Sequence, residues 1–238
     1  MLQINRNFLT IPTNDIYFEN KGGKSRYKAK LSCYTHRLRP SRQLQSKQTI
    51  HINLQQNEEM LINNLSTETK EMLFQNNNNA FKLSSHSDLS FDQLREFQRF
   101  YNENIHIGMD KLNRSKFQSL LLLRDQGALI LTKIENADNE VLSYRIYVVD
   151  GENALLLYVS SAIFEKDNSY KANLLLCWEN MNMFRKLGYS VYDFGGIDRE
   201  VHLRGSQLFG GSEVTVFSGY IAKSFVSKMI AKVNQWRE

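Results

Sequence analysis

The chain has two cysteines and two prolines in 238 residues, and no long apolar run. Cys33 and Cys177 are far apart and match no zinc-ligand spacing, so neither a disulfide framework nor a Cys-based metal site is expected. No apolar run approaches the roughly 18 residues of a membrane span. The opening Met1-Leu2-Gln3-Ile4-Asn5-Arg6 lacks the charged-then-apolar plan of a signal peptide. A cytoplasmic, reduced setting is the expectation. The five histidines are scattered and predict no metal cluster. Gly-x-Ser-x-Gly is absent, and Gly22-Gly23-Lys24-Ser25 lacks the first glycine of a phosphate-binding loop, because Phe18 stands there.

What is present is a chain able to build a core, with 42% apolar and 11% aromatic residues. Charge is uneven. The first fifty residues carry ten Lys or Arg against Asp15 and Glu19, whereas the remainder holds twenty basic and twenty-three acidic residues. Such a basic segment attracts an anionic partner such as a nucleotide diphosphate, RNA or a phospholipid head group, or is simply a solvated face. Glycine is concentrated too: six of twelve lie between Gly195 and Gly219. Val191-Tyr192-Asp193-Phe194-Gly195-Gly196-Ile197 reads as a buried strand stopping on two glycines, where backbone can turn through positive φ and approach a ligand.

Periodicity and turn residues predict a hairpin of Asp15–Glu19 and Arg26–His36 about residues 20–24, a strand at Thr49–Leu54 and a helix Asn57–Phe74 broken by Asn76–Asn79. A strand follows at Ala80–Ser84. Ser90, three residues before Gln93, predicts a capping box opening a helix Phe91–Glu103. Beyond it come a helix Arg114–Arg124, a strand Ala128–Glu135 and a hairpin of Glu140–Val149 with Ala154–Ser161. Asn168 or Ser169 is expected to cap a helix that Gly188 stops. The strand Ser190–Phe194, a strand Glu213–Tyr220 and an amphipathic helix Phe225–Trp236 complete the series. This order describes a mixed α/β (α+β) sheet with one right-handed crossover, not a doubly wound one. Residues 1–79 are expected to form a reduced N-terminal subdomain and residues 80–238 the main domain.

Tyr192-Asp193-Phe194-Gly195-Gly196-Ile197 with the trailing Phe209-Gly210-Gly211 resembles the FemABX family of GNAT-fold transferases. Ala172-Asn173-Leu174-Leu175 with Trp178 and Gly188, Phe97 with Phe100-Tyr101, and the segment from Ile52 to Lys70 resemble three further parts of its pattern. The resemblance covers about residues 50 to 215 and implies a GNAT-like fold and transfer of an acyl or aminoacyl group to an amine. Its acceptors are cell-envelope precursors: peptidoglycan stem peptides or amino sugars of surface polysaccharides. Two departures stand out. The family commonly carries a lysine shortly before the last Phe-Gly, where this chain has Arg204 as the nearest cation, and its peptidoglycan-bridge members are much longer. Many acetyl-CoA users also cradle the pyrophosphate with a glycine-rich run, whereas the segment 162–171 has no glycine.

Asp193 is the candidate base or amine-orienting group, or else a lock for the Gly195-Gly196 turn. Tyr158, on the candidate donor strand, is the candidate acid for the leaving group, or a core residue. Tyr101, His106, Asn173, Gly195, Gly196, His202 and Arg204 are candidate substrate contacts; Asn173 is one or else a buttress of its helix. Lys166 and Lys171 are candidates for the donor phosphate near a helix N-terminus. The preferred expectation is a short N-acyltransferase using acyl-CoA and a nucleotide-linked amino sugar. An aminoacyl-tRNA-dependent peptidoglycan-bridge enzyme and a non-catalytic GNAT-like binding module are the alternatives.

Overall fold

The computed structural model describes residues 1–8, 11–19, 28–74, 81–105, 110–162, 166–196 and 208–235. The chain packs as two compact units, Ile50–Ser212 and a smaller one made of Met1–Thr49 with Glu213–Glu238. The expected division after residue 79 falls inside the larger unit, because the helices before it pack there: Phe74 meets Trp178 edge-on at 6.1 Å.

In the larger unit the strands run in the order β4 (Gln45–Asn53, whose last four residues belong here), β9 (Val191–Asp193), β8 (Asn153–Ser161), β7 (Val141–Val149), β6 (Leu129–Glu135), β5 (Lys82–His86). All neighbours are antiparallel except β8 and β9, which are parallel and joined by the crossover helix α5 (Lys166–Lys186). The result is the expected mixed sheet. β7 is buried along almost its whole length because helices cover both faces. On one face lie α3 (Phe91–Glu103) and α4 (Arg114–Asp125), and on the other α5.

Local chemistry explains several boundaries. Gln93 N–H donates to Ser90 Oγ (3.1 Å) and Ser90 N–H to Gln93 Oε1 (2.9 Å), which completes the expected capping box. α5 ends in a Schellman motif: Gly188 N–H bonds Arg185 O, Tyr189 N–H bonds Phe184 O, and the two rings meet at 5.2 Å. Gly188 has φ 85°, as that motif requires. Two helix expectations are corrected. The helix expected at 57–74 is two, α1 (Glu58–Asn64) and α2 (Thr67–Phe74), because Ser66 starts a new cap by accepting Thr69 N–H. α5 begins at Lys166, so Asn168 and Ser169 lie within it and are not its caps. Ser169 Oγ instead donates to Ala162 O.

In the smaller unit the order is β1 (Leu2–Phe8), β2 (Ile11–Tyr17), β3 (Leu31–Arg37), β10 (Ser212–Ala222) and the start of β4. The expected hairpin is overturned: β2 pairs β3 in parallel, and β2's antiparallel partner is β1, a strand the sequence pattern did not reveal. The turn residues Asn20-Lys21-Gly22-Gly23-Lys24 between two alternating segments mimicked a hairpin signal, and they lie outside the described residues. Helix α6 (Phe225–Gln235) packs on β3.

Candidate active site

The Asp-Phe-Gly-Gly strand sits between two strands that treat it differently. With β4 it is antiparallel, and Asp193 lies directly opposite His51. With β8 it is parallel for only three pairs, ending at Leu155 opposite Asp193. Phe194 N–H then donates to Ile50 O (3.1 Å), so the chain stays with β4 while β8 continues along β7 to Ser161. Gly195 and Gly196 have φ 82° and 133°. A Cβ at Gly195 would lie 2.1 Å from Leu156 O, so the glycine is what permits backbone contact at the point of divergence.

β8 carries a bulge there. Ile146 pairs Tyr158 but Tyr147 pairs Leu156, so Leu157 is the extra residue. Strand alternation would put Tyr158 and Leu155 on opposite faces. The bulge reverses this, and Leu155, Tyr158, Asp193 and His51 share the face opposite α5. Backbone direction follows the same logic. Ala162 N–H donates to Leu142 O, so alternation aims the N–H groups of Val159 and Ser161 away from β7, towards the side β9 has left.

Asp193 is 3% exposed in its side chain; His51 is 21% exposed. Asp193 Oδ2 is 3.2 Å from His51 Nε2, and Oδ1 accepts Gly195 N–H at 2.9 Å. An ionised carboxylate only accepts, so Nε2 carries the proton and Nδ1 is the acceptor. Asp193 therefore locks the glycine turn and orients an imidazole at once. His51 was missed from sequence. An alternating strand containing one histidine carries no signal of its own, and only register brings it to Asp193.

Tyr158 is half-buried and meets Tyr101 edge-on at 5.5 Å, with Phe97 at 6.2 Å. These two candidates are thus brought together, although Tyr101 itself is buried. Asn173 is engaged elsewhere: Nδ2 donates to Ser161 Oγ and Ser169 O, and Oδ1 accepts from Ser143 and Ser161 Oγ, at 2.8–3.2 Å. That amide ties α5 to β7 and β8. Lys171 lies partly exposed on α5. His106, His202 and Arg204 lie outside the described residues, as does the Lys166 side chain. The second glycine pair has a packing role. A Cβ at Gly210 would lie 2.4 Å from Asn64 O, and one at Gly211 2.2 Å from Ile50 Cγ2. Phe209 packs near Phe194, which joins the two motifs.

Behind this face, towards α5, lies a buried polar network. Tyr147 and Tyr192 hydroxyls are 2.8 Å apart, and Asn180 Nδ2 donates to Tyr147 Oη and Thr132 Oγ1. Arg145 donates to Asn173 O at 2.9 Å. Burial pushes the Tyr147 hydroxyl up to about 12 and Tyr192 well above its ordinary value, so both stay neutral.

No family model and no curated protein matches the chain. Its mixed α/β architecture is nevertheless a known one. It shares the fold of FemX, with TM-score 0.61 and 13% identity over 81% of this chain and 65% of FemX. It thus spans under two thirds of FemX's length. Likeness extends to the C-terminal domain of an Agrobacterium fabrum protein described as a lysylphosphatidylglycerol synthetase (TM-score 0.56, 8% identity, 94% of this chain and 82% of that one). It also extends to L-PGS from Bacillus licheniformis (0.53, 7%, 86% and 72%). The fold implied by the sequence resemblance is the fold observed. No helix among the described residues is long and apolar enough to cross a membrane.

Proposed function

We propose that the chain is an acyltransferase that forms an amide between an activated acyl or aminoacyl group and the amine of a cell-envelope precursor. The observation that carries the reading is the divergence of β8 from β9 beside the His51–Asp193 pair. A strand edge whose Val159 and Ser161 amides point away from β7 offers donors to a developing oxyanion, each worth about 3 kcal/mol of barrier. His51 Nδ1 takes the proton as the amine attacks the carbonyl, and Asp193 holds the ring. The C–N bond forms, the bond to the donor's oxygen or sulfur breaks, and Tyr158 protonates the leaving atom. Gly195 and Gly196 give the acceptor room. Tyr101 supports the Tyr158 ring, and Lys171, with Lys166, His106, His202 and Arg204, is left to substrate contacts.

An aminoacyl ester carried on transfer RNA is the donor we prefer. The glycine-free segment 162–171 favours it, and so does the likeness to proteins named for transferring a lysyl group. The rival is the acyl-CoA reading, with a nucleotide-linked amino sugar as acceptor, and the basic first fifty residues would suit either anionic substrate. The deciding experiment offers charged transfer RNAs and CoA thioesters separately, with amino-sugar nucleotides and stem peptides as acceptors. Amide formation from charged transfer RNA, lost in His51→Gln and Asp193→Asn, is the expected result. Thiol release would select the CoA reading. Turnover with neither donor type would leave only a non-catalytic binding module.

A further inference from the structure

The smaller unit's last helix is built inside out. α6 buries Ser227 and Ala231, whereas Phe225, Val226 and Met229 are 78%, 56% and 58% exposed. Ser227 can face inward because the helix start satisfies it: its N–H donates to Ser224 Oγ and its hydroxyl to Ser224 O. At 100° per residue the three exposed side chains fall within a sector of about 100°, on the side away from Ser227 and Ala231. Lys228 borders that sector and is exposed.

The surroundings are basic. Ala222 pairs with Leu31, and Lys223 N–H donates to Lys30 O at 2.9 Å, so Lys30 and Lys223 meet where α6 begins. Lys28 is two residues away, and all three are exposed. Over its whole sequence the smaller unit has fourteen Lys or Arg against four Asp or Glu, a net +10, whereas the larger unit is −5.

We propose that α6 is a membrane-docking element: Phe225, Val226 and Met229 enter the interface of an anionic lipid surface, and Lys28, Lys30, Lys223 and Lys228 lie over its head groups. The eleven-residue helix is about 16 Å long and lies in the plane of the interface. Charge decides among the partners that an apolar face could take. A second copy would bring two strongly positive units together. A nucleic acid would engage the lysines but leave Val226 and Met229 in water. An anionic bilayer accepts both features. This docking is independent of the transfer reaction, and its test needs no substrate.

The experiment is cosedimentation of the full chain with phosphatidylcholine vesicles, with and without about one-third phosphatidylglycerol. Binding is expected to the anionic vesicles, weakening as salt rises. It should fall about tenfold or more in Phe225→Ser/Met229→Ser, with circular dichroism unchanged. Lys223→Gln/Lys228→Gln should weaken it as well. Absence of vesicle binding, or equal binding by Phe225→Ser/Met229→Ser, overturns the proposal. So does a dimer that the same double substitution turns into monomer, or an affinity for RNA lost with it.

Discussion

Tyr192 and Asp193 are consecutive residues that serve opposite faces of one sheet, and the two faces use polar groups for different ends. Towards α5, Tyr192 joins Tyr147, Asn180 and Arg145 in a buried network of hydrogen bonds. Towards the other side, Asp193 meets a histidine that is still open to solvent. A network buried beneath α5 is out of a substrate's reach. It specifies how α5 sits on the strands, since any displacement would strand buried donors. The open pair keeps one acceptor nitrogen for chemistry. The difference follows from what covers each face, not from the residue types.

Substitutions can break or sharpen this contrast. The largest effect belongs to His51→Gln, which keeps a donor to Asp193 but removes the basic nitrogen. The transfer rate should fall about 10²–10⁴-fold, roughly 3–5 kcal/mol of barrier, while thermal unfolding moves by less than about 1 kcal/mol. A matching loss of stability would make the pair structural. Gly195→Ala comes next. It forces left-handed backbone on a residue with a Cβ, about 1–2 kcal/mol, and drives that Cβ into Leu156 O, about 1–3 more. Denaturant titration would read the sum, and an unaltered midpoint would contradict the close approach at the divergence. Tyr192→Phe removes a hydroxyl from the buried side. It should destabilise by about 1–3 kcal/mol and leave the pH–rate profile in place. A displaced profile would show that the two faces are coupled.

The smallest effect, outside both faces, tests burial alone. Asp15 on β2 accepts from Arg6 at 3.0 Å, yet burial outweighs that attraction and raises its carboxyl above the ordinary value. Folding therefore favours the protonated form. That contribution is complete below the unfolded value near 3.8 and is lost as pH rises through the folded one. Asp15→Asn should raise the melting temperature at neutral pH, with the gain fading on acidification. A gain that grew in acid would reverse the sign.

Much of the larger unit was legible because local signals there agree with tertiary ones. Ser90 and Gln93 cap α3, Gly188 closes α5, and β6 to β8 alternate or run apolar at strand length. The smaller unit was not, because its pairing is set by residues far away. β2 takes β3 in parallel and β3 takes β10 from nearly 190 residues on, which no local turn residue announces. The site divides the same way. Asp193, Gly195 and Gly196 form a motif and could be read; Asn173 was read as a contact or a helix buttress, and its bonds to Ser143 and Ser161 fit the second.

Residue order alone determined the crossover unit, the glycine turn and the mixed character of the sheet, because periodicity, caps and positive-φ glycines are properties of short segments. Two things waited for the tertiary structure. One is His51, which reaches Asp193 only through the antiparallel register of β4 and β9. The other is the face that Tyr158 occupies, which a single extra residue in β8 reverses. Register and bulge depend on how two distant segments align, and neither segment carries that alignment by itself.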